Sequence, residues 1–243
     1  MQVCSKTDIG LVRSSNQDAC DVGILEDDKA WAVVCDGMGG TNGGNIASTL
    51  AVQQISRQIR SCAPAELADD RIMERMVSAV RDANAAIYEK ARAQEGLRGM
   101  GTTVVLAVVL GPAVYVAHAG DSRAYLISPD GDIRQLTVDH SMVQELVDKG
   151  DLTEQEAKVH PQKNIITRAL GVQPSVEVDF CSHPFPPGGR LLICTDGLSN
   201  NVGTKQISQL SKQLDPEEFC ERLISLAKDA GGSDNITVAI IEN

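Results

Sequence analysis

Aromatic side chains are scarce in this sequence: 3% of its 243 residues, with a single Trp. A core must therefore be aliphatic, and a hydrophobic content of 42% is enough to build one. The scarcity also removes the stacking platforms on which single-stranded nucleic acid is held. Basic charge is short as well. Lys and Arg number 22 against 33 Asp and Glu, a formal charge of −11, and no Lys/Arg-rich run occurs. Nucleic acid and anionic membrane surfaces call for a basic patch, so neither is expected as a partner. Long hydrophobic runs are missing. The longest uninterrupted one, residues 104–110, falls far short of the ~20 residues that span a bilayer. The first residues, MQVCSKTDIG, contain no apolar signal core, which points to the cytoplasm. The seven cysteines include no CxxC pair. Several lie inside apolar stretches, as Cys35 and Cys194 do. They read as small buried hydrophobes in a reducing compartment rather than as disulfide partners.

What the chain does have is a succession of short apolar strands punctuated by turns. Residues 3–7, 19–25 and 30–36 read as strands. A polar loop holding Arg13, Asn16, Gln17 and Asp18 separates the first two. Apolar positions near helical spacing predict a helix over 42–62 and a second one opening at Pro64. In the second, the stripe Leu67, Met73, Met76, Val80, Ala83 and Ile87 is core material rather than a cofactor box. Strands follow at 102–110, 113–118 and 123–127, the last two expected to form a hairpin across Gly120 and Asp121. Pro129-Asp130-Gly131-Asp132 marks another hairpin turn. Further strands are expected over 175–181, 190–194 and 236–241. A helix should start at the capping Asp215, with Pro216 and Glu218 behind it, and stop at Gly231. The middle strands are apolar on both faces, and paired sheets with helices outside would cover both. Residues 141–164 break the pattern, being charged, short-helical and poor in large apolar side chains. They read as an excursion from one α+β domain spanning 1–243.

The chemistry-bearing feature is a set of carboxylates at strand ends. AVVCDGMGG (32–40) and LLICTDG (191–197) each bury a strand and end it on an aspartate, Asp36 and Asp196. Asp18 and Asp234 precede strands, and Asp121 lies at a turn. A carboxylate against apolar walls is costly unless it is paired or bound to a metal. Singly, each of these reads as a turn former or cap. Converging on one end of a sandwich, they would repel one another unless cations lay among them. Donors that are all oxygen suit Mg²⁺ or Mn²⁺ rather than Zn²⁺. His118, three residues before Asp121, falls inside a strand and reads as a satisfied core histidine.

In order along the chain stand RSSNQDA, VVCDGMGG, GTTVV, AHAGDSRAYL, LTVDHS, HPQKNIITRALG, LLICTDGLSNNV and GGSDNITVAII. In these motifs, which run from residue 13 to 241, the chain resembles the bacterial branch of the type 2C metal-dependent protein serine/threonine phosphatases, the PPM family. The resemblance implies a four-layer α-β-β-α sandwich, two antiparallel sheets flanked by helix pairs, with a small flap at 141–164. It implies a binuclear Mn²⁺ or Mg²⁺ site at one end of the sandwich. Asp36 would bridge the ions and the Gly37 carbonyl would bind the second. Asp196 and Asp234 would hold the first, and Asp18 would contribute mainly through water. A third, weaker ion would lie between Asp121 and Asp196. Arg13 matches the arginine that grips the substrate phosphate. Two cations sharing a water would make it hydroxide near neutral pH, and that hydroxide would attack phosphorus in line. Asp36, Asp196 and Arg13 would carry the catalytic step. Many relatives have His and Glu after DGMGG where this chain has Thr41 and Asn45.

The activity this implies is hydrolysis of phosphoserine and phosphothreonine on proteins, opposing a Ser/Thr kinase. That kinase or its substrates would be the partners of a monomeric enzyme. A catalytically inactive binding module of the same fold is the alternative, but such a module should have lost metal-site aspartates. A two-metal nuclease is disfavoured by the acidic charge and the absence of basic or aromatic stripes. His160, in the HPQKN run, is expected either to meet a bound phosphoprotein or to pack the flap hinge.

Overall fold

Alternation along the strands sorts the aliphatic residues into three layers, and the fold follows from how those layers are covered. The computed structural model describes residues 1–26, 28–62 and 71–243, with backbone alone for Gly40, Thr41 and Asn42. Three strands, β1 (Gln2–Asp8), β2 (Asp18–Glu26) and β3 (Lys29–Met38), lead into two long helices, α1 (Gly40–Arg60) and α2 (Ile72–Ala93). Then come β4 (Gly101–Thr102), β5 (Val104–Leu110), β6 (Ala113–Ala119), β7 (Arg123–Ile127) and β8 (Ile133–Gln135). Two short helices follow, α3 (Met142–Asp148) and α4 (Glu154–Val159). The chain closes with β9 (Asp179–Pro184), β10 (Arg190–Cys194), α5 (Asp196–Ser199), α6 (Thr204–Ser211), α7 (Pro216–Asp229) and β11 (Ile236–Glu242).

The strands form two antiparallel sheets, one in the order β1-β11-β10-β7-β8 and the other β2-β3-β5-β6-β9, with β4 paired to β3. In β3, Trp31, Val33 and Cys35 face α1 and α2, where they meet Ile55, Met76 and Val80. The alternate residues Ala30, Ala32 and Val34 lie between the sheets, against Leu191, Ile193, Ala239 and Ile241. The inter-sheet layer is rich in Ala and Val, and such small side chains let the sheets approach closely. On the far side, Leu192, Cys194, Val238 and Ile240 pack on Phe219 and Leu223 of α7. Each fully buried Val, Leu or Ile contributes roughly 1.5–3 kcal/mol of transfer free energy. The result is the expected four-layer α-β-β-α sandwich. Its cysteines are free, with Cys35, Cys194 and Cys220 buried. Among the described residues no helix is long and apolar enough to cross a membrane.

Several expectations need correction. The start at Pro64 and the core position of Leu67 lie outside the described residues, as does the Thr41 side chain. The strand expected at 102–110 is broken at Thr103, which bonds to Asp36 instead of continuing the ladder. The strand expected from 175 begins at Asp179, and α5 and α6 had no clear sequence signal. The most consequential change concerns Gly120 and Asp121. Residues β6 and β7 do not form a hairpin; they belong to different sheets, so the chain crosses the sandwich between them. Both strands are buried, and each finds its partners elsewhere, β6 with β5 and β9, β7 with β10 and β8. Gly120 allows the crossing because its φ is +116°, in the left-handed region. A Cβ there would also lie 2.6 Å from Thr103.

The excursion between β8 and β9 leaves and returns at one place. Ser141 bridges Ile166, the Met142 N–H donates to the Ile165 carbonyl at 2.9 Å, and the Thr167 N–H donates to the His140 carbonyl at 2.9 Å. α4 opens on a capping box between Thr153 and Glu156, and no α4 residue is buried.

Gly120→Ala forces a side chain into the left-handed region and against Thr103. It should lower stability by about 2–4 kcal/mol. The measurement is the urea unfolding midpoint at unchanged slope, and an unchanged midpoint would contradict the crossover geometry.

Candidate metal centre

The alternation that builds the inter-sheet layer also places the carboxylates. Residues 30, 32 and 34 of β3 face inward, so Asp36 continues that column at its open end. Cys20 and Val22 of β2 pack against the same layer, so Asp18 shares the parity and lies directly across from Asp36 in the ladder. Asp196 follows β10 at the first position of α5, and Asp234 precedes β11. The crossover brings Asp121 to the same end. A cavity of about 450 Å³ is lined there by Arg13, Asp36, Gly37, Asp121, Asp196 and Asp234. A second cavity, about 440 Å³, shares Asp121 and Asp196 and runs beneath α3 and α4, where Lys158 and Lys163 line it. Asp18 sits behind the first cavity and accepts the Thr195 hydroxyl at 2.9 Å. His160 lines neither cavity. Its Nδ1 accepts the Gln162 N–H at 3.1 Å, in the turn after α4.

Hydroxyl and amide side chains that carried no obvious signal hold this arrangement. The Asp36 N–H donates to Thr103 Oγ1 at 2.9 Å, while the Asp36 carbonyl accepts from the Thr103 N–H at 2.9 Å and the Thr102 hydroxyl at 2.8 Å. Thr103 in turn shares a 2.7 Å hydrogen bond with Ser122, beside Asp121. The backbone carrying Asp36 is thereby tied to the crossover. Gly37 must be glycine, since a Cβ would stand 2.2 Å from the Gly44 carbonyl oxygen. The buried Asn235 fastens the loop that carries Arg13. Its Oδ1 accepts the Gln17 N–H at 2.8 Å, and its Nδ2 donates to the carbonyls of Ile9 and Ser15, each at 3.0 Å. Arg13 reaches the cavity rim, where its Nη2 donates to Asp234 Oδ2 at 2.7 Å.

The electrostatics of this end are unfavourable without a cation. Burial pushes the Asp36 carboxyl well above its ordinary value, and Asp18, Asp196, Asp121 and Asp234 add to the shift. Burial likewise raises Asp121, to about 7, with Asp196 the largest charge contribution. Asp18 and Asp196 are raised by the same two causes, burial first and neighbouring aspartates after it. Asp18 Oδ1, Asp121 Oδ1 and Asp196 Oδ1 are each buried with no hydrogen-bond partner. Buried polar atoms are almost always satisfied, so three orphaned carboxylate oxygens at one end of the molecule are what a hard divalent cation would complete. The donor set is all oxygen, which fits Mn²⁺ or Mg²⁺.

A different group looks more like a transition-metal site. Among the described residues, ligand atoms of His118, His140 and Asp179 lie within 4.8 Å of one another. A cation already stands there. Arg168 Nη1 is 3.0 Å from His140 Nε2 and also donates to Asp179.

The family model described as Protein phosphatase 2C matches residues 12–237. A Listeria innocua protein called serine/threonine phosphatase stp is 38% identical, over 98% of this chain and 94% of its own length. The crystal structure of the Mycobacterium tuberculosis serine/threonine phosphatase PstP/Ppp superposes with a TM-score of 0.90 at 35% identity, covering 99% of this chain and 97% of that one. A structure of the PstP catalytic domain in complex with two manganese ions gives a TM-score of 0.87 at 33% identity, again covering 99% and 97%.

Without cations, Asp121 keeps a proton in the folded chain up to about pH 7 that the unfolded chain releases near 3.8. A raised carboxyl stabilises the fold at low pH, and that stability is lost as pH rises toward the folded value. Asp18, Asp36 and Asp196 shift in the same direction. In excess chelator, Asp36→Asn should therefore raise Tm at pH 7.5 by relieving the repulsion, and raise it less at pH 5. Scanning calorimetry checks this. A variant less stable than wild type at pH 7.5 would contradict the charge cluster.

Proposed function

Because this chain belongs to the protein phosphatase 2C family, and so is a metal-dependent protein phosphatase, we propose that it removes phosphate from phosphoserine and phosphothreonine in proteins. Asp18, Asp36, the Gly37 carbonyl, Asp121, Asp196 and Asp234 are the groups that would hold its Mn²⁺ or Mg²⁺ ions. The observation that carries this reading is the set of orphaned oxygens on Asp18, Asp121 and Asp196. Bound there, such ions polarise a phosphoryl oxygen and acidify water enough for attack near neutral pH. The chain's own side chains do the rest. Asp36, its backbone fixed through both its N–H and its carbonyl, and Asp196 would hold the ions in register with the substrate phosphate. Arg13 presents a planar fork to two phosphate oxygens, which a lysine cannot do. Asp234 keeps that fork at the cavity rim before substrate arrives. With ions held there, the local field would be reversed, so that an acidic protein could accept a dianionic phosphate.

Residues 141–164 act as a flap on a single phosphatase domain in this reading. Lys158 and Lys163 line the space beneath it, which suits acidic or polar chain flanking the phosphorylated residue. A Ser/Thr kinase that produces the substrate is the partner this chemistry presupposes, and nothing in the reaction requires more than one copy of the chain.

Phosphate release from a phosphoserine or phosphothreonine peptide tests the assignment. Chelation should abolish it, and Mn²⁺ or Mg²⁺ should restore it. Asp36→Asn and Asp196→Asn should each lower kcat by at least ~100-fold, the scale of removing one electrostatic stabiliser. Full activity in excess EDTA, or wild-type turnover in both variants, would refute the site.

A further inference from the structure

His140 makes a reciprocal pair with the residue that precedes Asp121. The Gly120 N–H donates to His140 Nδ1 at 3.0 Å, and the His140 N–H donates to the Gly120 carbonyl at 3.0 Å. An imidazole whose Nδ1 accepts carries its proton on Nε2. That Nε2 lies 3.3 Å from Asp179 Oδ2 and 3.0 Å from Arg168 Nη1. A guanidinium has no lone pair to offer, so the Nε2 proton goes to Asp179. Arg168 donates to the other oxygen of Asp179 and, at 3.2 Å, to Glu177, which orients the acceptor. Burial keeps the His140 ring neutral, helped by His118 and Arg168. The His118 ring stacks on it at 4.8 Å and 6°. His118 is itself held by a 3.0 Å hydrogen bond from Nε2 to the Val138 carbonyl.

We propose that His140 is a positioning residue for Asp121. With Nδ1 accepting from Gly120 and Nε2–H facing Asp179, its ring anchors the Ala119–Gly120 peptide while its backbone N–H holds the Gly120–Asp121 peptide, so that the Asp121 carboxylate points toward Asp196 and takes up a cation there. The proposal rests on the reading of Asp121 and Asp196 as cation ligands. Two like-charged carboxylates swing apart unless their backbones hold them, and the crossover offers little else to do so. No strand pairing spans residues 120–122, which lie between β6 and β7. Ser122 is pinned by Thr103 on one side and Gly120 by His140 on the other. Without the imidazole the buried Gly120 N–H loses its acceptor, and of the reciprocal pair only the His140 N–H to Gly120 carbonyl bond is left to hold the turn before Asp121. The likeness of His118, His140 and Asp179 to a metal triad has the same explanation: Arg168 is the cation, and the cluster orients a ligand of the neighbouring centre rather than binding a metal itself.

Mn²⁺ binding to the full chain tests this by calorimetry, with bound ions counted by electron paramagnetic resonance. The three proteins are wild type, His140→Ala and His140→Asn; the Asn carbonyl can replace Nδ1 as the acceptor for Gly120. In His140→Ala the weakest Mn²⁺ class should lose at least ~10-fold in affinity, the usual effect of removing a group that orients a ligand. The tighter ions should be unchanged within about twofold, and His140→Asn should recover most of the loss. An unchanged weakest class, an equal loss at every ion, or no recovery with Asn would overturn the proposal. Wild-type protein that binds only the tight ions overturns it alone, whereas wild type that binds none also removes the metal reading beneath it. A measurement on wild type needs no variant to fold. ¹⁵N-histidine spectra should show His140 protonated on Nε2 and bare on Nδ1, and the reverse tautomer would overturn the proposal.

Discussion

The repulsion among buried aspartates at the open end of the inter-sheet layer is the constraint on which the rest of this molecule turns. Asp18, Asp36, Asp121 and Asp196 are each held where burial and their neighbours oppose ionisation. A folded chain has two ways to tolerate that, by keeping protons or by taking cations. The structure favours cations, because it leaves carboxylate oxygens without donors instead of pairing them with lysine or arginine. Among the described residues, the basic side chains near this end form ion pairs with none of these four aspartates. Arg13 engages Asp234 alone, and Arg123 is committed to Asp139. Such a site costs stability in the metal-free chain, and the aliphatic layers must offset it.

The scaffold answers with rigidity. Two antiparallel sheets supply the ladder that sets Asp18 opposite Asp36. Around them lies a group of small polar residues, Thr102, Thr103, Ser122, Thr195 and Asn235, that anchor backbone rather than touch solvent. Each spends its hydrogen bonds on a segment bearing a site residue. The crossover at Gly120 matters for the same reason. It is the one point where the chain passes between the sheets on its way from β6 to β7, and it delivers Asp121 to the centre while linking it to the base of the flap through His140.

Much of this was legible in the order of residues. The apolar stretches ending on Asp36 and Asp196 marked both exits, but which face Asp36 shares with Ala30, Ala32 and Val34 came only from the packing of β3. The four-layer architecture followed from strands apolar on both faces. What stayed hidden depended on long-range pairing. Gly120-Asp121 between two strands has the local signature of a hairpin, and only the partners of β6 and β7 in different sheets turn it into a crossing. His140 and Arg168 sit 28 residues apart in sequence and meet only because the flap leaves and returns at one place. Asn235 was visible merely as part of a turn before β11. His160 was open to two readings, a contact for a bound phosphoprotein or packing of the flap hinge, and its ring hydrogen-bonds within the turn after α4.

The most direct measurement is anomalous diffraction from crystals of the full chain grown with Mn²⁺. The account predicts manganese peaks at the end of the sandwich, against Asp36, Asp196 and Asp234, and none between His118, His140 and Asp179, where Arg168 already stands. Manganese confined to the histidine cluster, or no peak among the aspartates, would contradict it.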